Sequence, residues 1–301
     1  DLRRVLSFSL NNQLGFMVVG IGIGTELSLN GTVAHAFVHI IYKALLFMSM
    51  GAVLHRVGTT KASELGGLYK FMPLTTIFCI VGAMSISAFP LFSGFVAKSL
   101  IMSALGGQGL ILIYFVLFFA SAGVLEHSGI KIPYFAFFAH ERKAKVKEAP
   151  FNMLLAMGIA ATLCIGIGVY PKYLYSILPY AVDYQPYTID HVVSQLQLLV
   201  FAILAFLFLV KFKLYPSEIK STVLNSDWFY RKMLPGIGRP LFKTLSSIIN
   251  KIYLIIGLLF KSSLGRAKSF TEIHYIKVTT PGFAALVLIS ILFFMLVIAV
   301  I

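Results

Sequence analysis

The chain has 301 residues, of which 58% are hydrophobic and only 12% charged, where a soluble domain carries about 25% charged residues. Several apolar runs exceed the ~18 residues that mark a transmembrane helix, which excludes a water-soluble globule and predicts an all-α, polytopic transmembrane helical bundle. The formal net charge of +14 would suit nucleic acid, but the placement of the charges argues against that partner.

The opening "DLRRVLSFSLNNQ" has neither an initiating Met nor a cleavable leader, so residue 1 reads as a position inside a longer protein. Apolar segments follow at roughly 12–25, 33–54, 73–104, 109–125, 151–170, 192–210 and 279–301. If each crosses once, the connections 1–11, 55–72, 126–150 and 211–278 share one side and hold 22 of the 25 Lys and Arg residues. Lys172 is the one basic residue on the opposite side, beside Glu26, Asp183 and Asp190. The positive-inside rule puts the basic side in the cytoplasm, with the chain in the inner (cytoplasmic) membrane. The excess charge is thus topology, with some attraction to the lipid bilayer surface, and no nucleic acid is expected. Glu126 is expected at the cytoplasmic end of its helix, leaving no carboxylate at mid-membrane.

Within 211–278, apolar residues at 241, 242, 245, 248, 249, 252, 255, 256, 259 and 260 have helical spacing, broken by Lys243, Lys251 and Lys261. This predicts an interfacial amphipathic helix before the last span at 279–301; the alternative is a poor eighth span. Cys79 and Cys164 lie in apolar segments without metal or disulfide spacing.

Two cations remain inside predicted spans, Lys43 and Lys98. His35, His39 and Lys43 recur at steps of four, so they share one helical stripe rising ~12 Å. Lys43 lies ~15 Å from either end of its span, too far for its stem to snorkel, so its ammonium must face protein or water. One reading is a strut satisfied by backbone carbonyls. The other is a protonatable station, because burial brings an amine's charged and neutral forms closer in free energy, and the histidines are natural neighbours in a proton wire. Lys98 follows "SISAFPLFSG", and 73–104 is too long for one straight span. A break near 89–94, marked by Pro90 and Gly94, accounts for both facts. Irregular backbone survives at membrane depth only when buried in protein or lining water, and broken helices build ion sites in transporters. The alternative there is a plain proline kink.

"DLRRVLSFSLNNQLGFM", "HAFVHIIYKALLFMSMGAVLH", "ELGGLYKFMPLTT" and "AFPLFSGFVAKSLI" occur in an order and spacing that resemble the antiporter-like membrane subunits. These are the proton-translocating subunits of respiratory complex I and the large subunits of Mrp-type multisubunit sodium/proton antiporters. The resemblance is dense over 1–150, and "LEHSGIKIPYFAFFAHER" leans toward the antiporter side of the family, in its D type. It implies two inverted five-helix repeats sharing a hydrophilic axis. Residues 1–170 would be most of the second repeat, 171–210 an extra transmembrane helix with its preceding loop, 211–278 the basic interfacial segment and 279–301 the final helix. The first repeat, with its Glu–Lys pair, would lie outside this chain. By the same resemblance Lys43 is the central lysine, His35 and His39 precede it, and Lys98 leads toward the non-cytoplasmic exit.

The expectation is therefore a proton- or cation-translocating subunit, with other membrane subunits as partners and sodium left open as a second ion. No catalytic, metal or cofactor-binding motif occurs; in an NADH:quinone oxidoreductase-type complex this chain would be the pump and not the redox enzyme. The rival is a structural subunit whose lysines are only paired.

Overall fold

The computed structural model describes residues 1–139, 145–215 and 226–263. All regular structure among them is helical, and they fall in two compact units, Asp1–Ser221 and Thr222–Ile301.

In the first unit, α1 (Leu2–Ile23) starts where the Asp1 carboxylate accepts from the Arg3 and Arg4 amides and stops at Gly24, which is left-handed at φ 73. Helix α2 (Glu26–Val57) starts on the Thr25 hydroxyl and ends at Gly58. Next come α3 (Pro73–Ile86) and α4 (Ser93–Gly107). Helix α5 spans Ile111–Phe138, with wide π turns at Leu125–Ile130 and Tyr134–Phe138. Helix α6 is Phe151–Val169, α7 is the short Pro171–Tyr175, and α8 is Ile189–Lys211. Helices α1, α2, α5, α6 and α8 are long and apolar enough to cross a membrane. The chain is a multi-pass membrane protein. Outward residues such as Leu112 and Phe119 are about four-fifths exposed, at 78% and 81%, as suits a surface solvated by lipid tails.

Helix α2 is the centre of the unit, packed against α1, α3, α4 and α6. That is why its stripe, with His35 at 0%, His39 at 7% and Lys43 at 4% exposure, sits inside protein and not against lipid.

Three boundaries differ from the sequence expectation. Residues 2–11 are helical and extend α1 backward, with Ser9 buried. Helix α5 continues to Phe138, so Glu126 is sixteenth of its 28 residues and not at the helix end; the π turns accommodate polar residues that an apolarity count takes for a loop. The break covers 87–92, so Pro90 lies within it but Gly94 is in the first turn of α4. The last span, 279–301, lies outside the described residues.

Glu148 ties the loop before α6 to the start of α3. Its carboxylate accepts from the Leu74 amide at 2.8 Å and the Thr75 hydroxyl at 2.6 Å, while its carbonyl accepts from Arg56 at 2.8 Å. Helix α3 has no capping side chain of its own at Met72, so this carboxylate serves its amides from a distance in sequence. Glu148→Ala is expected to cost about 1–2 kcal/mol, read as a melting temperature several degrees lower for the detergent-solubilised protein. An unchanged melt would show the cap to be dispensable.

In the second unit, α9 (Leu234–Ser263) carries Pro240 within its first two turns. Leu241, Leu245, Ile248, Ile249 and Ile252 are each 42–66% exposed and recur at helical spacing. The expected amphipathic helix is therefore present and longer at its start than 241–260.

Candidate functional site: a buried polar file and a capped helix break

The four terminal carbonyls of α3 have no helical continuation and need other donors. Ala83 O accepts from Ser87 through both its amide and its hydroxyl. Met84 O accepts from Phe89 N, and Ser85 O from Ala88 N, at 3.0 and 3.1 Å. Ile86 O receives the Lys98 ammonium at 2.9 Å. Lys98 thus closes the end of the interrupted helix from which its own half-helix continues, where a cation also meets the negative end of the helix dipole. Its ammonium stands 5.0 Å from the Phe16 ring centroid as well. The turn between the halves holds Ala88 at φ 56 and Leu91 at φ 72, each costing about 1–2 kcal/mol for an L-residue. Surrounding packing must maintain such a strained turn.

Helix α6 supplies part of that packing. A Cβ on Gly168 would lie 2.5 Å from the Leu91 carbonyl carbon and 2.5 Å from Phe92 Cα, and one on Gly94 would strike the Ser85 carbonyl oxygen. Two glycines therefore clasp the turn by letting backbone approach backbone.

Lys43 donates to the Ser9 hydroxyl of α1, which donates on to Leu6 O at 2.9 Å. Four residues along α1, Gln13 accepts from the Tyr42 hydroxyl at 3.0 Å. Neither lysine forms an ion pair with a carboxylate among the described residues. Two ammonium groups are thus held in a protein interior without counter-ions, an arrangement rare in membranes outside functional sites.

The histidines lie between the lysines. His39 is within electrostatic range of Lys43 and of Lys98, and His35 of Lys98 and of His39. Their rings are stacked with centroids 6.2 Å apart and planes 10° from parallel, and Tyr42 stands against both. Buried polar atoms normally have partners. Here both ring nitrogens of His35, Nε2 of His39 and Nε2 of Gln13 find none among the described residues, nor do the Ser85 and Ser93 hydroxyls that flank the break. The file thus runs from Ser9–Lys43 through His39 and His35 to Lys98 and the break.

All four sequence-predicted titratable residues are brought together. Periodicity and apolarity missed Ser9, Gln13 and Tyr42, which face the file from α1 and α2, and His127, which lies within electrostatic range of Lys43 from the first π turn of α5. Ser9 and Gln13 sit one helical turn apart on α1, and that spacing was the available signal.

Beside Lys98 a cavity of about 20 Å³ is lined by Phe16, Lys98, Ser99, Ser121, His191 and Gln195, among others. That volume holds one water.

Residues 1–125 match the family described as NADH:quinone oxidoreductase/Mrp antiporter, TM. The match contains α1 to α4, the break and both lysines. The D subunit of the Na(+)/H(+) antiporter of Alkalihalophilus pseudofirmus is 32% identical over 183 residues, 59% of this chain and 36% of that one. NADH-ubiquinone oxidoreductase chain 5 of Hypocrea jecorina is 30% identical over 184 residues, 58% of this chain and 26% of its own. The chain therefore spans about a third or less of the length of these curated relatives. In fold, it is similar to a chain of the membrane-bound sulfane sulfur reductase (MBS), an archaeal respiratory membrane complex, with a TM-score of 0.56 at 22% identity over 98% of this chain and 52% of that one. The matched stretch ends inside α5, so α6, α8 and α9 lie beyond it.

Proposed function

We propose that this chain is a proton-translocating membrane subunit, working with other membrane subunits in a sodium/proton antiporter or a complex I-like assembly. Lys43 and Lys98 are its protonation stations, and His39 and His35 relay between them. The observation that carries this reading is the row of buried, orphaned nitrogens linking two unpaired ammonium groups. Such atoms are stabilised when water bridges them, and a hydrated file of titratable groups conducts protons. Residues 1–170 form the second-repeat half of the transporter, the basic loops face the cytoplasm of the inner membrane, and α9 lies in the interface.

Replacement of Lys43 by Ala in the full-length parent protein tests the reading. Proton movement into inverted membrane vesicles, followed with a pH-sensitive dye, is expected to stop while a native gel shows intact assembly. Normal transport would remove Lys43 from the ion path and leave it a strut tied to Ser9.

One observation favours the second, structural reading for the other lysine. The Lys98–Ile86 O bond is a helix cap, and a cap needs no proton movement. The two roles are compatible in chemistry, since a neutral amine keeps two N–H donors and can hold the carbonyl after one proton leaves.

A further inference from the structure

The polar file described so far lies within α1, α2, the break and the start of α4, and it stops at Lys98. On the far side of Lys98 the one-water cavity is closed by α8, which lies outside the matched family region and carries two polar residues facing it, His191 and Gln195. Gln195 is 9% exposed, and its Nε2 has no hydrogen-bond partner among the described residues. A buried amide in that condition costs about 1–3 kcal/mol, which a cavity water accepting its N–H would recover. His191 sits in the first turn of α8, half-buried, and stacks on Phe95 at 4.6 Å between centroids. Its Nδ1 is 2.8 Å from Pro186 O. A carbonyl oxygen only accepts, so Nδ1 carries the hydrogen and Nε2 is left as the acceptor.

We propose that His191 and Gln195 of α8 form the outer end of the proton path, joining Lys98 through the cavity water to the aqueous face at the Thr188 end of α8. This rests on the function proposed above and adds residues to it. The Lys98 ammonium gives a proton to the cavity water, and the same water gives one to His191 Nε2. The amine is then neutral, the ring is an imidazolium, and the water is unchanged. The imidazolium then releases its Nδ1 proton to bulk water that displaces the Pro186 carbonyl, and a ring flip with return to the Nδ1–H tautomer restores the starting state. Gln195 transfers nothing; it is a positioning residue that holds the water between donor and acceptor.

Two substitutions in the full-length parent protein, with assembly checked on a native gel, separate relay from packing. His191→Phe keeps the stack on Phe95 but cannot accept a proton, and Gln195→Met keeps length and bulk but cannot hold the water. Each is expected to slow proton movement in inverted vesicles roughly tenfold or more, as loss of a positioned proton acceptor does. Should His191→Phe fail to assemble, His191→Asn keeps the bond to Pro186 without a ring and is expected to show the same loss. Wild-type rates in the α8 variants, alongside loss in Lys98→Ala, would overturn the outlet and leave the proposed function standing. Wild-type rates in Lys43→Ala and Lys98→Ala together would overturn both.

Discussion

Lys98→Arg is expected to stop proton movement while the chain still assembles, whereas Lys98→Ala is expected to lose both transport and stability. The two variants divide the roles that the geometry gives this residue. Arg restores a cation and a donor for Ile86 O, so the α3 carbonyl end stays satisfied, and the adjoining cavity of about 20 Å³ takes the extra atoms. Guanidinium does not release its proton in proteins, so the station is closed. Ala removes the donor and leaves Ile86 O buried and unpaired at the negative end of a helix, at a cost of about 1–3 kcal/mol. Vesicle transport and the melting temperature of the solubilised complex read the two effects separately. If Lys98→Arg transports at the wild-type rate, Lys98 is a cap and nothing more, and the path from Lys43 must leave by another route.

Gly168→Ala is expected to give a large structural defect from a single added methyl. The added carbon would sit 2.5 Å from Leu91 C and from Phe92 Cα, where ordinary contact begins near ~3.5 Å. These are backbone atoms of a turn already holding Leu91 in the left-handed region, so no side chain can rotate aside. Overpacking costs typically about 1–3 kcal/mol and sometimes more, and here α6 must move off the break to relieve it. The expected result is a poorly assembled complex on a native gel, with Gly94→Ala a second instance through the Ser85 carbonyl. A Gly168→Ala protein that assembles and melts like the wild type would show that α6 does not clamp the turn. A neutral control is Gly166→Ala, where a Cβ meets nothing within 4 Å.

Both predictions concern the break, and it shows how far a linear reading reaches. Pro90 and the excess length of 73–104 were enough to place an interruption, because a proline cannot donate within a helix and a single crossing needs only ~20 residues. The steps of four from His35 to Lys43 were likewise enough to place three polar groups on one stripe, since helical periodicity is a local property. Lys43 and Lys98 stood out because a charge in an apolar run is costly wherever the run packs.

The partners of those charges could not be read in the same way. Ser9 lies 34 residues from the Lys43 it meets, and its helix looked like a loop because Arg3 and Arg4 interrupt the apolar count. Glu126 looked terminal because π turns carry α5 past its polar residues. His191 and Gln195 reach Lys98 only because α8 packs beside α5. Local composition and period are sufficient for the membrane class, the helical stripe, the broken crossing and the two interior lysines. Packing between helices was needed to learn that Lys98 caps Ile86, that orphaned nitrogens join the two lysines, and that α8 closes the cavity beyond them. Those contacts link segments far apart in the chain, and no period within a single helix encodes them.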